Sequence, residues 1–293
     1  MLRKIVKRKI AAICGILYYP FFKKKDCNIK TINETIDFMN KEGHSIVRFG
    51  DGEFSIMCGK GIYKYQEYDE KLRDSLISAI QSVGDDKLLI CIPDTITNLK
   101  HYRNETKKIW RKDFFVNRKA YNKFISNKYI YGNAFVSRPY MVFDDKSVSG
   151  KYFKRILQIF DNRDIVLVEG IYSRSGVGND MFSNVKTLER ILCPGENAFS
   201  KYNEIRDEVM KVDKTKLILL SIGPAGKKLV VELSNAGYWA IDIGHLDSEY
   251  EWFIAGCNEK TASTYKHTAE CSDDNIMDCV DKTYIESIIK TIL

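Results

Sequence analysis

Six short, nearly unbroken apolar runs recur along this chain, with helical patterns between them. They are Ser45 to Phe49, Lys87 to Ile92, Tyr129 to Val136, Asp164 to Glu169, Lys216 to Ile222 and Tyr238 to Ile243. A run without polar alternation is what a strand shows when both of its faces are covered, and covered strands separated by helices build a parallel sheet. The helical patterns fall at 32–41, 70–83, 96–110, 117–125, 150–161, 182–192, 199–212, 225–236 and 248–256. The expected fold is therefore α/β: a Rossmann-like, mostly parallel sheet with helices on both faces. The chain has no internal repeat and no Pro/Gly/Ser-rich linker, and the loop-like stretch 144–150 is too short to separate independent domains. A single domain over residues 29–293 is expected, preceded by a distinct segment, 1–28.

That first segment carries the charge. The formal net charge is +7, yet residues 1–25 hold eight Lys/Arg and no acid, which leaves the remaining body near neutral at −1. A nucleic-acid groove needs a basic face on the body, so nucleic acid is not an expected partner. Between the basic clusters runs Ile10 to Phe22, 13 residues long, whereas a bilayer span takes ~20. No small-x-small cleavage site follows to suggest a signal peptide. Apolar and aromatic residues flanked by Lys/Arg suit an interfacial anchor on anionic lipid, and the alternative is a first helix packed on the domain with a solvated basic face. The eight cysteines are scattered without a Cys-x-x-Cys pair, as for small buried hydrophobes in a reducing cytosol. His267, Cys271 and Cys279 fit no zinc spacing.

Chemistry is expected where the strands end. At the first such end, Arg48-Phe49-Gly50-Asp51-Gly52-Glu53 offers a guanidinium, turn amides and two carboxylates, a setting for phosphate with Mg²⁺ or Mn²⁺. An ordinary Asp-capped turn, with Arg48 paired to Glu53, is the alternative. Ser221 to Lys228 places Gly223, Pro224 and Lys227 at a helix N-terminus that can bind phosphate, or that Gly and Pro merely open. The run Glu169 to Asp180 holds three glycines, Gly178 among them, with Arg174 as a diphosphate clamp and Asn179 and Asp180 for sugar hydroxyls; Asp180 equally suits a helix N-cap. After the last strand, His245, Asp247, Glu249 and Glu251 follow within seven residues. On a helix Asp247 and Glu251 share a face and Glu249 takes another, enough for a metal ligand and a general base. Acids at a helix N-terminus also have a purely electrostatic reason to be there.

In this order the segments resemble the GT-D fold glycosyltransferases, a family first catalogued as a domain of unknown function. The match rests on Arg48 to Glu53, Val168 to Gly170 with Ser173 to Phe182, Cys193-Pro194 with Asn197-Ala198-Phe199, and Gly223-Pro224 with Asp242 to Trp252, and it covers roughly residues 30 to 290. The resemblance implies a transferase that moves a hexose, glucose or galactose, from a UDP-sugar to a glycan acceptor with a divalent metal at an Asp-x-Glu motif. Asp51 and Glu53 are the preferred metal ligands. Arg48, Gly50, Gly52, Glu169, Arg174, Gly178, Asn179, Asp180, Gly223, Pro224 and Lys227 would surround the donor, and Asn197 and Phe199 its uracil. His245, Asp247 and Glu249 would act from the opposite strand end, one of them as base. The expected cofactors are Mn²⁺ or Mg²⁺ and the expected partners a UDP-hexose, a glycan acceptor, lipid-linked or free, and a membrane surface, with work at the cytoplasmic face of a bacterial membrane in surface polysaccharide or glycoprotein glycan assembly. A metal-dependent phosphoesterase or hydrolase, and a non-catalytic nucleotide- or glycan-binding module, are the competing readings.

Overall fold

The computed structural model describes residues 2–22, 26–62, 65–268, 271 and 276–293, and the side chains of these apart from residues 2–5, 7 and 8. Lys23, Lys24 and Lys25 and the side chains of Arg3, Lys4, Lys7 and Arg8 thus lie outside the described residues. The described strands are β1 (Asn28–Ile29), β2 (Ser45–Arg48), β3 (Leu88–Ile92), β4 (Ile130–Asn133), β5 (Asp164–Gly170), β6 (Thr187–Cys193), β7 (Leu217–Ser221), β8 (Trp239–Asp242) and β9 (Ile288–Thr291). They form one sheet in the order β1-β4-β3-β2-β8-β7-β5-β6-β9, with every pairing parallel. All described residues of β2, β3 and β8 are buried, as the unbroken apolar runs require.

The helices are α1 (Leu2–Phe22), α2 (Ile32–Met39), α3 (Asp51–Met57), α4 (Glu70–Ile80), α5 (Asn104–Phe124), α6 (Ser149–Phe160), α7 (Tyr202–Val209), α8 (Pro224–Asn235), α9 (Leu246–Ile254) and α10 (Lys282–Glu286). Local chemistry sets several starts. Thr31 and Glu34 close a reciprocal capping box on α2, and Pro224 opens α8 where its missing N–H costs nothing. At α3, Glu53 reaches back to the Gly50 amide at 2.7 Å. That bond makes a helix of a stretch whose Asp-Gly pair reads locally as a turn.

Three expectations are corrected. The stretch 182–192 is not a helix: a turn over 182–185 leads into β6, seated between β5 and β9. Val185, Leu188 and Ile191 fit a helical period, but a seven-residue ladder with β5 and the buried Arg190–Glu169 ion pair decide for strand. The helices expected at 96–110 and 117–125 are one helix, α5, which begins only at Asn104 after a 3-10 turn at Asp94–Ile96. The cysteines are all free, but only Cys27, Cys91 and Cys193 are buried, and five are half-buried.

α1 is docked rather than loose. Its small face meets α5 so closely that a Cβ on Gly15 would sit 2.5 Å from the Arg111 carbonyl oxygen. Tyr19 is buried against Phe114 and donates to the Thr95 carbonyl at 2.7 Å.

On the inward side of α5, Asp113 accepts hydrogen bonds from Asn117 and Tyr121. Burial, and then the charge of Asp51, push its carboxyl up to about 7. A raised carboxyl binds its proton in the folded state first, so this group's contribution is present at low pH and is lost as pH rises from about 4 towards about 7. Asp113→Asn is expected to flatten the fall in Tm between about pH 5 and about pH 8, the native slope reflecting at most a few kcal/mol. An unchanged slope in thermal scans would mean that Asp113 is ionised throughout.

Candidate active site

The chain leaves β2 towards β3 on one side, while after β8 it travels to β9 at the opposite edge. Likewise β5 leads outward to β6, and its neighbour β7 leads back to β8. Crevices open at the carboxyl ends of such diverging strands. Both crevices here flank the β7–β8 pair, and the candidate residues gather around them.

At the β2/β8 crevice Arg48 is buried and committed to Asp242, not to Glu53. Its Nη2 lies 2.9 Å from Asp242 Oδ1, its Nε donates to the Asp242 carbonyl at 2.8 Å, and its backbone N–H donates to Oδ2 at 3.1 Å. Lys227, from the first turn of α8, donates to the same Oδ2 at 2.7 Å and stands 3.7 Å from Glu53. Burial alone would push the Asp242 carboxyl up, but Arg48 and Lys227 together outweigh it and hold it below its ordinary range. Gly244 has φ +45°, and a Cβ there would overlap the Arg48 guanidinium at 1.8 Å. Only glycine lets the chain pass.

Beside it, Ser221 Oγ donates to the Gly244 carbonyl at 2.9 Å. Gly223, at φ +57°, leaves room for Tyr65, whose hydroxyl would lie 2.7 Å from a Cβ at that position. Tyr65 stacks on His267 at 6.3 Å with an 11° interplanar angle. Asn197, in the left-handed region at φ +52°, accepts from the Glu67 amide at 2.6 Å and donates its own N–H to the Tyr65 carbonyl at 2.9 Å. It therefore anchors the 65–67 loop over the cleft. Phe199 packs on Tyr202 at 5.4 Å.

At the β5/β7 crevice Glu169 is wholly buried, ion-paired to Arg190 and bonded to the Ser175 amide at 2.9 Å. It holds the loop rather than facing a ligand. Arg174 is also buried, at φ +44°, a conformation that costs a non-glycine residue of order 1 kcal/mol or more. Its Nη1 donates to the carbonyls of Tyr265 and Met277, each at 2.6 Å, and its Nε has no partner. Among the described residues its charge is matched by carbonyl dipoles and by no carboxylate.

Asp247 and Glu251 do share one face of α9. Lys266, which is buried, lies 2.6 Å from Asp247 Oδ2 and 2.7 Å from Glu251 Oε1. Gly176 N–H and Asn179 Nδ2 each donate to Asp247 Oδ1 at 2.8 Å. Burial, then the charge of Asp247, push the Glu251 carboxyl up, against the pull of Lys266. Glu249 takes the other face and is sealed: its Oε2 accepts from the Tyr140 and Met141 amides at 3.0 and 2.8 Å, and its Oε1 has no partner. Burial pushes this carboxyl up as well. His245 is half-buried just ahead of α9. Asp180 accepts from the Tyr250 hydroxyl at 2.7 Å; with no helix after it, it is not an N-cap. Gly178 keeps φ +79° with open space around it.

Neither Asp-x-Glu segment presents two carboxylates to one ion. Asp51 is exposed, whereas Glu53, two residues on and so on the far side of α3, is buried against Gly50 and Lys227. Asp247 and Glu249 diverge in the same way. Among the described residues no group of three or more His, Cys, Asp or Glu side chains is gathered to hold a metal. The described groups by themselves do not fit a divalent-metal clamp.

Tyr65, Lys266 and Glu251 are central here, yet sequence reasoning singled out only Glu251, and then as one of two possible partners. Tyr65 and Lys266 sit in loops without a motif, so no local signal marks them.

Residues 46–271 match the family described as "Glycosyltransferase GT-D fold". The chain is 38% identical over 267 residues to "Probable glycosyl transferase Gly" of Streptococcus gordonii, covering 91% of this chain and 39% of that protein. It is 38% identical over 266 residues to "Glycosyltransferase GlyD" of Streptococcus pneumoniae serotype 4, covering 90% of this chain and 32% of the relative. The chain thus spans about a third to two-fifths of the length of these curated relatives. A solved structure described as "The highly conserved domain of unknown function 1792 has a distinct glycosyltransferase fold" superposes with TM-score 0.90 at 38% identity, covering 95% of this chain and 100% of that one. Another, "A New Glycosyltransferase (DUF1792) from Streptococcus sanguinis", gives 0.86 at 37% identity over 91% and 100%.

Proposed function

The chain belongs to the GT-D fold glycosyltransferases, and on that premise we propose that it transfers a hexose, glucose or galactose, from a UDP-sugar to a glycan acceptor in bacterial surface polysaccharide or glycoprotein glycan assembly, at the cytoplasmic face of the membrane. The observation that carries the donor class is Arg174: a buried guanidinium, held in a strained backbone, whose described partners are all neutral carbonyls. Burying a cation without a counter-ion is costly unless an anion completes the site. A departing diphosphate is such an anion, and a bidentate guanidinium suits it.

In this reading the α8 N-terminus, opened by Gly223 and Pro224, adds free amides and the positive end of the helix dipole. Arg48, Lys227, Asp242 and Glu53 form a self-compensated network that keeps α8 and β2 in place below it. The acceptor hydroxyl attacks the sugar C1, the bond from C1 to the diphosphate oxygen breaks, and UDP leaves with the electron pair. Arg174 and the α8 amides stabilise the charge that develops on it. If configuration inverts, the hydroxyl proton passes to a carboxylate. Glu251, or Asp247 beside it, suits that task better than the sealed Glu249, and His245 stands next to them. Asn197 and Phe199 line the side expected to receive the uracil. Dependence on Mn²⁺ or Mg²⁺ is part of this reading and is to be measured.

The test is UDP release from UDP-glucose, UDP-galactose and other UDP-sugars, with Mn²⁺ or with EDTA, with and without a lipid-linked glycan acceptor. Release from one donor that depends on acceptor is expected. Release without need of acceptor would make the protein a hydrolase, and UDP binding without release from any donor would make it a binding module.

A further inference from the structure

We propose that the outer side of α1, supported by the lysines of α5, is a docking face for an anionic lipid bilayer, on which the protein rests without inserting. This deepens the membrane location proposed above and does not depend on the identity of the donor.

α1 makes two kinds of contact. Its small residues, centred on Gly15, lie against the α5 backbone, and Tyr19 enters the core. The opposite face holds Val6, Ile10, Ile13, Leu17 and Phe21, spaced three or four residues apart and all exposed; Leu17 is 62% and Phe21 83% accessible. A soluble helix with one side already buried has no reason of its own to carry a second apolar stripe. Contacts advance together along the two helices, from Gly15 against Arg111 to Tyr18 stacked on Phe115 at 5.6 Å. They therefore run parallel, with the apolar stripe on the side of α1 turned away from α5.

Charge says what that stripe meets. Residues 1–25 hold eight Lys/Arg and no acid, and α5 adds seven basic residues against Glu105 and Asp113. Asp113 is spent inward on Asn117 and Tyr121. Lys108, Lys112, Lys119 and Lys123 follow one side of α5, and three of the four are exposed. A second copy of this chain would bring two cationic faces together, which is repulsive. An anionic bilayer matches both the apolar stripe and the charge, since each Lys or Arg near its surface is attracted to the lipid headgroups. No described helix is long and apolar enough to cross a membrane.

The experiment is co-sedimentation of the full chain with vesicles of phosphatidylcholine alone or with added phosphatidylglycerol, at low and high salt, alongside light scattering without lipid. Binding to the phosphatidylglycerol vesicles, weakened by salt, is expected, with Leu17→Glu/Phe21→Glu lowering it about tenfold or more. Both positions are exposed, so the double variant should keep the native Tm and the native rate on soluble substrates. No sedimentation with either vesicle overturns the proposal, as does a lipid-free dimer that the double variant dissolves, since the stripe would then be a self-contact. Vesicle binding is read without turnover, so a protein that docks but releases no UDP refutes the donor chemistry and leaves the docking face standing.

Discussion

Arg174→Ala lowers the turnover of the UDP-sugar donor by about 10²–10³, the usual cost of deleting one preorganised donor to a developing oxyanion. The expectation follows from how the guanidinium is kept. It is buried, its Nε is unpartnered, and its hydrogen bonds run to the carbonyls of Tyr265 and Met277. Those bonds also tie down the segment after α9, so loss of charge must be separated from loss of order. A charge role predicts that free UDP binds more weakly while Tm stays close to native. It also predicts only partial rescue by Arg174→Lys, because an ammonium lacks the planar fork. A structural role predicts a fall in Tm that parallels the fall in turnover. Native turnover in Arg174→Ala would remove the diphosphate reading of this loop.

Asp242→Ala destabilises the fold by roughly 3–5 kcal/mol, because it leaves Arg48 and Lys227 buried and uncompensated. Denaturant titration checks this, with a lower midpoint and an unchanged slope. The pH dependence runs opposite to that of Asp113. Arg48 and Lys227 hold the Asp242 carboxyl below its ordinary range despite burial, so its contribution is present above the unfolded carboxylate pKa and is lost as pH falls through the folded one. The native protein should therefore lose stability on acidification in a window where the variant does not. A variant as stable as the native protein would show that the cations at the end of β2 and the start of α8 find other partners.

What could be read in the chain, and what could not, divides by the range of the forces. Each of the six apolar runs holds a strand because unbroken hydrophobicity over a few residues favours one in an α/β chain, although the run 129–136 keeps only Ile130–Asn133 as strand and turns into a 3-10 helix at Ala134–Ser137. The segments 48–53, 169–180, 223–228 and 245–251 stand at strand ends because Gly, Pro and acids punctuate such ends. Nearest-neighbour chemistry and period were enough for both. β6 escaped because Val185, Leu188 and Ile191 fit a helical period, and the choice for strand lay with β5 and with Glu169, 21 residues away in sequence. β1 has only two residues and β9 is largely exposed, so neither shows a buried apolar run, and both exist through the strands they pair with.

The site divides in the same way. That Arg48, Asp247 and Arg174 stand near strand ends was legible from their motifs. Their partners were not. Arg48 meets Asp242 across 194 residues, Asp247 meets a lysine from an unmarked loop, and Gly223 faces a tyrosine from the far side of α3. Composition and local spacing were enough for the layered fold, the strand ends that bear chemistry and the cationic first helix. Which charges meet a counter-charge and which, like Arg174, meet only carbonyls among the described residues emerged only once the chain was folded, because burial and ion pairing depend on through-space neighbours that sequence separation does not encode.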